Sequence, residues 1–331
     1  MGAHLIELLR EARLPPAACQ LLQGGGDPGA YLARHPAIHL IAFTGSREVG
    51  LEILRIASTL QPSQDHIKRV VCEMGGENAI TVDADADLDE AVIHIIDSAF
   101  GYQGQKCSAA SRIVAVEEIH DRLLKRLVEA VKSLKIGPPR DPRYFIGPVI
   151  DADAHARITE YMNLGKREAR CVLKMEAPQK GFYLGPMILS GVKPDHHRLA
   201  QEEIFGPVLS VLKARDFDEA LEIANRSFYA LTGGIFSRSP AHIEKARQEF
   251  YAGNLYINRG ITGAVVGRQP FGGLKLSGIG SKAGGPDYLL QFLEPRAISE
   301  NTLRHGFVPP EDLAIELPKE GEEADSDQER P

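Results

Sequence analysis

The sequence predicts an α/β fold with largely parallel sheets. Short apolar runs alternate with amphipathic segments over the first 134 residues, and this alternation is typical of strands connected by helices. The chain has 331 residues, of which 43% are hydrophobic and 25% are charged. This composition is ordinary for an α/β protein, and the length is sufficient for two domains with cores of their own.

The individual elements follow from the spacing of apolar residues and from breaker residues. A first helix is predicted over 3–12, and Pro15-Pro16 ends it. Asp87 and Glu90 form a capping box that opens a helix reaching to about residue 100. Gly24-Gly25-Gly26 is interpreted as a flexible turn. Strands are predicted at 39–43, 68–72, 79–82 and 113–116, and further helices at 49–56 and 118–134.

The net charge of the chain is concentrated near its end. Residues 311–331 contain nine acidic and two basic residues, while the formal charge of the whole chain is −7. A segment this polar cannot bury enough apolar surface to fold, so we expect a disordered acidic tail. The rest of the chain is balanced in charge, and nothing in it indicates a surface for nucleic acid.

The chain carries no sequence signal for a membrane or for secretion. No apolar run reaches the length of a membrane span, and the N-terminus lacks the features of a signal peptide. We therefore expect a cytoplasmic protein. Cys19, Cys72, Cys107 and Cys171 show no CxxC spacing, so we expect reduced thiols, no disulfide framework and no metal site.

Cys107 is the strongest candidate for a chemically active residue. A lone cysteine is most often a small buried hydrophobe. Cys107 instead lies among polar residues, in Gly104-Gln105-Lys106-Cys107-Ser108, and these suit a loop after the helix that begins near Asp87. A thiolate on such a loop can attack an electrophilic carbon and later depart as a leaving group.

Two glutamates stand beside glycines that would allow close backbone approach. Glu73 follows the predicted strand at 68–72 and precedes Gly75-Gly76, and Glu203 begins the run Glu203-Ile204-Phe205-Gly206-Pro207. For an arbitrary glutamate, a surface charge or a helix cap is the better interpretation, and Phe205 alone would be a core aromatic. Glu77 is expected to lie on the surface.

A third segment, Thr44-Gly45-Ser46-Arg47-Glu48-Val49-Gly50, lies between a predicted strand and a predicted helix. Backbone N–H groups at the start of a helix attract phosphate, and glycine lets a phosphate approach closely. The signal is weak by itself, because a glycine turn before a helix is common.

Taken together, these motifs resemble the NAD(P)-dependent aldehyde dehydrogenase superfamily over about residues 1–308. The resemblance implies that Cys107 is the nucleophile and that Glu73 is the general base for hydrolysis of the thioester. The residues that it implies for cofactor binding are Gly45, Ser46 and Gly50 at the pyrophosphate, Glu203 at the nicotinamide ribose and Phe205 at the nicotinamide ring.

The run from Gly260 to Gly273 is the most discriminating, because it resembles the anchor loop of L-glutamate γ-semialdehyde dehydrogenases. That likeness implies that the N–H groups of Gly263 and Ala264 bind the α-carboxylate of the substrate, with help from the Ser108 hydroxyl. Backbone donors and a hydroxyl make a reasonable anion site. Phe271 would pack on the aliphatic part of the substrate. NAD is chosen as the cofactor by the same analogy.

The resemblance also implies how the chain is divided. It gives a partial Rossmann-type NAD-binding domain over 1–73, with 276–294 packing back on it through a helix after Ser277, and a catalytic domain over 74–275. The active site would lie in the cleft between them. Residues 295–310 would form an oligomerisation segment, so a homo-oligomer is expected.

The resemblance further implies truncation at the N-terminus. In the family, an asparagine that donates to the developing oxyanion and a lysine that holds the adenosine ribose both precede the position matched by residue 1. Loss of one oxyanion donor costs about 3–4 kcal/mol of transition-state stabilisation. The chain would then be a fragment of a stand-alone enzyme or of a larger proline-catabolic enzyme.

Two other functions remain open at this point. One is a catalytically silent scaffold or interaction subunit, which the missing asparagine favours and the presence of Glu73, Cys107 and Glu203 opposes. The other is a CoA-acylating semialdehyde dehydrogenase. Such enzymes avoid hydrolysis and commonly lack the general base, so Glu73 argues against that function.

Overall fold

The computed structural model describes residues 1–195 and 197–302. Residues Met1–Phe292 form one compact unit, and a second unit begins at Leu293. Residues 293–302 contain no assigned helix or strand, and the predicted acidic tail lies outside the described residues. The pairing role expected for 295–310 therefore stays a prediction. Within the described ranges, no helix combines the length and apolarity that crossing a bilayer requires.

The first part of the chain forms a small sheet with helices around it. Strands β1 and β2 are parallel, and the late strand β12 pairs with β2 in the opposite direction. Ser46 caps α3 by accepting a hydrogen bond from the N–H of Val49. The elements are α1 (Gly2–Glu11), α2 (Gly26–Arg34), β1 (Leu40–Thr44), α3 (Arg47–Ala57), β2 (Arg69–Glu73) and β12 (Gly278–Ile279).

A seven-stranded sheet forms the larger core. Its order is β10-β9-β3-β4-β7-β6-β5, and only β5 runs antiparallel to its neighbour among these described strands. The strands are β3 (Asn78–Val82), β4 (Ala110–Val116), β5 (Arg170–Lys174), β6 (Met187–Ser190), β7 (Val208–Ala214), β9 (Thr232–Phe236) and β10 (Asn254–Ile257). β3 and β9 are buried along their whole length, as expected for parallel strands covered on both faces.

Helices cover this sheet and bury their apolar sides against it. The largest core cluster joins β3 and β4 to apolar residues of α4, α5 and α8, and a second cluster lies between α6, β6 and α7. The helices are α4 (Leu88–Phe100), α5 (Glu117–Lys132), α6 (Ala152–Glu168), α7 (His197–Gln201), α8 (Phe217–Asn225) and α9 (Pro240–Glu249). A two-stranded ribbon pairs β8 (Tyr229–Ala230) with β11 (Leu274–Lys275).

The α/β class and the early elements are confirmed. Of the glycine turn predicted at 24–26, Gly24 and Gly25 lie outside the helices, and α2 begins at Gly26. One local prediction is wrong. The α-helix predicted after Ser277 does not form. That region contributes β12 and a 3₁₀ turn at Leu289–Phe292. It does reach the small sheet, but through strand pairing with β2.

The cap of α4 gives a test of this local assignment. The Asp87 side chain accepts hydrogen bonds from the N–H groups of Asp89 and Glu90 and also pairs with Arg238. We expect Asp87→Ala to lower the free energy of unfolding by about 1 kcal/mol, because two N–H groups lose their acceptor. Asp87→Asn keeps an acceptor oxygen and should lose much less. Urea unfolding of both variants measures this, and equal losses would contradict the capping role.

Candidate active site

A cavity of about 780 Å³ lies at the end of β1 in the small sheet. Its other walls come from segments that connect the strands of the seven-stranded sheet along the chain. Thr44 to Glu48 enter from the β1–α3 turn, and Glu203 and Phe205 enter from the segment before β7. Cys107, Arg157 and Tyr229 also line it. The structure therefore brings the predicted nucleophile, the predicted phosphate turn and the Glu203 segment into one space of the size that ligand cavities take.

A strained turn positions Cys107. Tyr102, Gln103 and Gly104 all have positive φ values, of 56°, 58° and 67°. Such values are uncommon for residues other than glycine and persist only where the surroundings enforce them. A Cβ at Gly104 would lie 2.5 Å from the carbonyl oxygen of Gly206. The nucleophile segment and the Glu203 segment are therefore in direct backbone contact.

Asn78 holds the backbone of the segment that contains Cys107. Its side-chain N–H₂ group donates to the carbonyl oxygens of Cys107 and Ala109, each at 2.8 Å, and its Oδ1 accepts from the N–H of Thr232 at 2.9 Å. Asn78 is 2% exposed. One buried amide thus joins the start of β3, the segment that leads from Cys107 into β4, and the start of β9.

The surroundings of the Cys107 thiol favour its neutral form. Burial raises its pKa, and the nearby carboxylates of Glu203 and Glu73 raise it further, while the N–H groups of Ser108 and Cys107 lower it. A nucleophilic thiolate therefore requires a group that accepts the thiol proton.

Glu73 lies in a niche walled by glycines at the end of β2. Its Oε2 accepts a hydrogen bond of 3.2 Å from the N–H of Gly273. A Cβ at Gly272 would lie 2.8 Å from its Oε1. Burial raises the pKa of Glu73 to about 7, against the opposing effects of the Gly273 N–H and the Lys282 cation. The carboxyl group is therefore poised to bind or release a proton near neutral pH.

Glu203 is a second buried carboxylate, and it reaches the strand end that carries Gly75-Gly76. Its Oε1 accepts from the N–H of Gly76 at 3.0 Å, and a Cβ at Gly75 would lie 2.0 Å from its Oε2. Burial raises its pKa to about 7, while the Gly76 N–H and Arg157 lower it. Phe205, two residues on, has a φ of 53° and partly faces the cavity.

The β1–α3 turn points the N-terminus of an eleven-residue helix at the same cavity. Gly45 packs against the ring of Phe43, where a Cβ would lie 2.4 Å from a ring carbon. Gly50, one turn into the helix, packs against Met74, where a Cβ would lie 2.4 Å from the sulfur. These contacts hold α3 close to β1 and to the residue after Glu73, and they direct its free N–H groups toward the cavity.

The loop after β10 connects α4, the helix that precedes the Cys107 segment, to the niche of Glu73. At its beginning, the N–H of Ile261 donates to the hydroxyl of Ser98 on α4. At its end, Phe271 pairs with Ala283 in an isolated bridge, and the Asn254 side chain bonds the Pro270 carbonyl and the Gly272 N–H on either side of it. Phe271 is therefore held in a fixed register next to the turn that contacts Glu73.

The remaining predicted anchor residues lie in contrasting surroundings. Gly263 has a φ of 79°, and no heavy atom lies within 4 Å of the position of an added Cβ. No hydrogen bond involves the N–H groups of Gly263 or Ala264 among the described residues. Ser108 is 8% exposed, and its carbonyl accepts from the Thr232 hydroxyl.

The prediction that Glu77 lies on the surface is wrong. Glu77 is 3% exposed and pairs with Arg112, which is 0% exposed, at 3.7 Å between Oε1 and Nε. The Arg112 guanidinium also donates to the carbonyls of Glu77, Ile223 and Ala224. Burial raises the pKa of Glu77 to about 8, although Arg112 and the Ser111 hydroxyl lower it. This pair joins the residue just before β3 to β4, the strand that follows Cys107.

Sequence reasoning missed three residues that support the site: Asn78, Asn254 and Lys282. Each acts on backbone groups that are distant in sequence, so its neighbours along the chain give no sign of the role. Asn78 alone had a usable signal. It is an amide at the start of a strand whose other residues, apart from Thr81, are apolar, and a buried amide needs several partners.

The fold is that of the aldehyde dehydrogenases. The aldehyde dehydrogenase family model matches residues 1–298, and the chain belongs to that family.

The chain is similar to proteins that carry two names, 1-pyrroline-5-carboxylate dehydrogenase and proline utilization A. The 1-pyrroline-5-carboxylate dehydrogenase of Geobacillus thermodenitrificans is 51% identical over 296 residues, which are 89% of this chain and 57% of that protein. A Thermus structure of an enzyme with this name, with bound NAD, has a TM-score of 0.86 at 47% identity and covers 88% of this chain and 57% of its own. Proline utilization A from Bdellovibrio bacteriovorus, inactivated by N-propargylglycine, has a TM-score of 0.89 at 50% identity, over 93% of this chain and 32% of its own.

The contribution of Asn78 to the position of Cys107 can be tested without a measurement of catalytic activity. We expect Asn78→Ala to cost about 3 kcal/mol of stability, because three buried groups lose a partner. The loosened segment should also lower the pKa of the Cys107 thiol, so alkylation of Cys107 by iodoacetamide at pH 8 should be several times faster. Mass spectrometry of the peptide that contains Cys107 measures this rate.

Asn225→Ala is the matched control for this experiment. The Asn225 side chain also bridges two backbone groups, the Glu249 carbonyl and the Tyr251 N–H, but it does not touch the nucleophile segment. It should cost stability and leave the alkylation rate unchanged. An unchanged rate in Asn78→Ala would remove the proposed support.

Glu203 predicts a pH dependence of stability. Its folded pKa of about 7 lies above the ordinary value of 4.5, so the stability that the carboxyl contributes is complete below pH 4.5 and is lost as the pH rises to about 7. Glu203→Gln should therefore be more stable than the wild type at pH 8, by about 2 kcal/mol after allowance for partial exposure. The difference should shrink toward pH 5.

Chemical unfolding across this pH range measures the effect, with Glu129→Gln on the exposed face of α5 as the control. A difference between Glu203→Gln and the wild type that is the same at pH 5 and pH 8 would show that Glu203 titrates normally.

Proposed function

We propose that this chain carries the nucleophile, the general base and the cofactor-binding turn of an NAD-dependent aldehyde dehydrogenase. Its substrate would be L-glutamate γ-semialdehyde, which is oxidised to L-glutamate. The chain spans a little over half the length of the curated relatives it matches. The main support is the convergence of the Cys107 thiol, the Glu203 carboxylate and the N-terminus of α3 on one cavity.

Cys107 is proposed to begin the reaction. Its sulfur loses a proton and bonds to the aldehyde carbon, which gives a thiohemiacetal. The raised pKa of the thiol means that the proton needs an acceptor, and Glu73, with a pKa of about 7, suits this role. The N–H of Cys107 is one donor for the developing oxyanion.

The residues around the cavity suit NAD. The β1–α3 turn offers backbone N–H groups for the pyrophosphate, with Gly45 and Ser46 at the helix start. The Glu203 carboxylate can accept hydrogen bonds from ribose hydroxyls, and Phe205 presents a flat apolar side chain beside it. NAD bound there would supply a hydride acceptor, so that the thiohemiacetal on Cys107 would be oxidised to a thioester.

Glu73 is proposed to complete the turnover. Glu73 first passes the thiol proton to solvent and is again a carboxylate. It then takes a proton from water, the resulting hydroxide attacks the thioester carbon, and the carbon–sulfur bond breaks to release the carboxylic acid and the Cys107 thiolate. The carboxyl group is half-buried in its niche and so stays partly accessible. The general base is the feature that separates this reaction from acyl transfer to CoA.

The choice of substrate depends on the loop after β10. The N–H groups of Gly263 and Ala264 are available to bind an α-carboxylate, and two adjacent backbone donors form the kind of nest that anions occupy. Phe271 is fixed by its bridge to Ala283 and can pack on the methylene groups between the two ends of the substrate.

Replacement of the nucleophile tests the proposal. The wild-type chain should form NADH from glutamate semialdehyde, and Cys107→Ala should reduce the rate by a factor of at least about 10³. Cys171→Ala, which removes a thiol on β5, should leave it unchanged. Glu73→Gln should slow NADH formation by about 10²–10⁴ from the first turnover, because the variant lacks both the acceptor of the thiol proton and the base for hydrolysis.

Two outcomes would contradict the proposal. NADH formation that survives in Cys107→Ala would exclude the covalent mechanism. A folded wild-type chain that forms no NADH and is not labelled at Cys107 by the aldehyde would favour a non-catalytic, scaffold function for this chain.

A further inference from the structure

Lys282 lies beside the niche of Glu73, and the family motifs do not account for it. Its ammonium group donates to the carbonyl oxygens of Gly253 and Gly272, the second at 2.9 Å. The side chain is half-buried. A charged donor shared between two carbonyls is a strong, directional contact, and here it fixes the turn that follows Phe271.

The Gly272 carbonyl and the Gly273 N–H belong to the same peptide group. A peptide group is planar, and in the trans form its carbonyl and N–H point in opposite directions. The structure has no cis peptide bond among its described residues. Lys282 holds one end of this rigid unit, and the other end donates to Glu73 Oε2. A rotation of this peptide would break both contacts together.

We propose that Lys282 is a positioning residue for Glu73. Lys282 holds the Gly272–Gly273 peptide so that the N–H of Gly273 orients the Glu73 carboxylate, which acts as the base. The role of Glu73 as base rests on the proposed function. The contact between Lys282 and the peptide does not.

Charge adds to this geometric effect. Lys282 lowers the pKa of Glu73 against the larger effect of burial, which raises it to about 7. The other ionisable groups coupled to Glu73 among the described residues are the thiols of Cys72 and Cys107, whose pKa values Glu73 raises. Lys282 is therefore the cation that keeps Glu73 in the range where it can work as a base.

Replacement of Lys282 should move the titration of Glu73 upward. In Lys282→Met the aliphatic stem stays, but the cation and both hydrogen bonds are lost, so the Glu73 pKa should rise by about one pH unit. Lys282→Arg keeps the charge and should shift it less. The acidic limb of the kcat–pH profile should move upward by the same amount in Lys282→Met, with activity regained near pH 9.

The titration is measured directly by ¹³C NMR of glutamate side-chain carboxyl carbons, with the Glu73 signal assigned from its loss in Glu73→Gln. Lys275→Met is the matched control. Lys275 also donates to two carbonyls, those of Asn225 and Ser227, but it is not coupled to Glu73. It should leave the Glu73 titration unchanged. Lys282→Gln retains one donor group and gives the same comparison if Lys282→Met does not fold.

The results separate the two proposals. A Glu73 midpoint that stays at the wild-type value in both Lys282→Met and Lys282→Gln would overturn the role of Lys282, even if the wild type oxidises the aldehyde. If the Glu73 midpoint rises in these variants but the wild-type protein forms no NADH, the role of Lys282 is supported and the proposed function is contradicted.

Discussion

The site depends on backbone contacts so close that no side chain could stand between them. A Cβ at Gly75 would clash with the Glu203 carboxylate at 2.0 Å, and a Cβ at Gly104 would clash with the carbonyl of Gly206 at 2.5 Å. Each contact joins segments far apart in the chain. Because glycine alone fits such contacts, these positions allow the ends of β2, the nucleophile turn and the segment before β7 to meet. The cavity exists because these three segments approach so closely.

The same closeness creates an electrostatic difficulty. Glu73, Glu77 and Glu203 are all withdrawn from water, and burial raises the pKa of each. Two of them are held mainly by single backbone N–H groups, and only Glu77 has a fully buried cation as its partner. A single neutral donor compensates only part of the cost of burying a charge. The site therefore contains carboxyl groups that change protonation near neutrality, which suits proton transfer better than it suits stability.

The sequence predicts the placement of residues that stand in local motifs, and it fails for residues whose contacts are distant along the chain. Cys107, Glu73 and Ser46 stand in local motifs at the ends of predictable elements, and all three were placed correctly at turns or strand ends. Glu77 was misplaced because its partner, Arg112, lies on the neighbouring strand and is separated by 35 positions. The helix predicted after Ser277 failed for a related reason, since hydrogen bonds to β2 form a strand there and override the local preference.

Protonation of the Cys107 thiol and of the Glu73 and Glu203 carboxyl groups must also be linked, because both carboxylates raise the pKa of the thiol. If all three groups were ionised, the positive charges that act on the two carboxylates would include Arg157 and Lys282. Like charges that are coupled in this way disfavour the simultaneous ionisation of all three groups. The thiolate should therefore form together with uptake of a proton by one carboxyl group. Measured pKa values in this site would then belong to the group of three and not to any one residue.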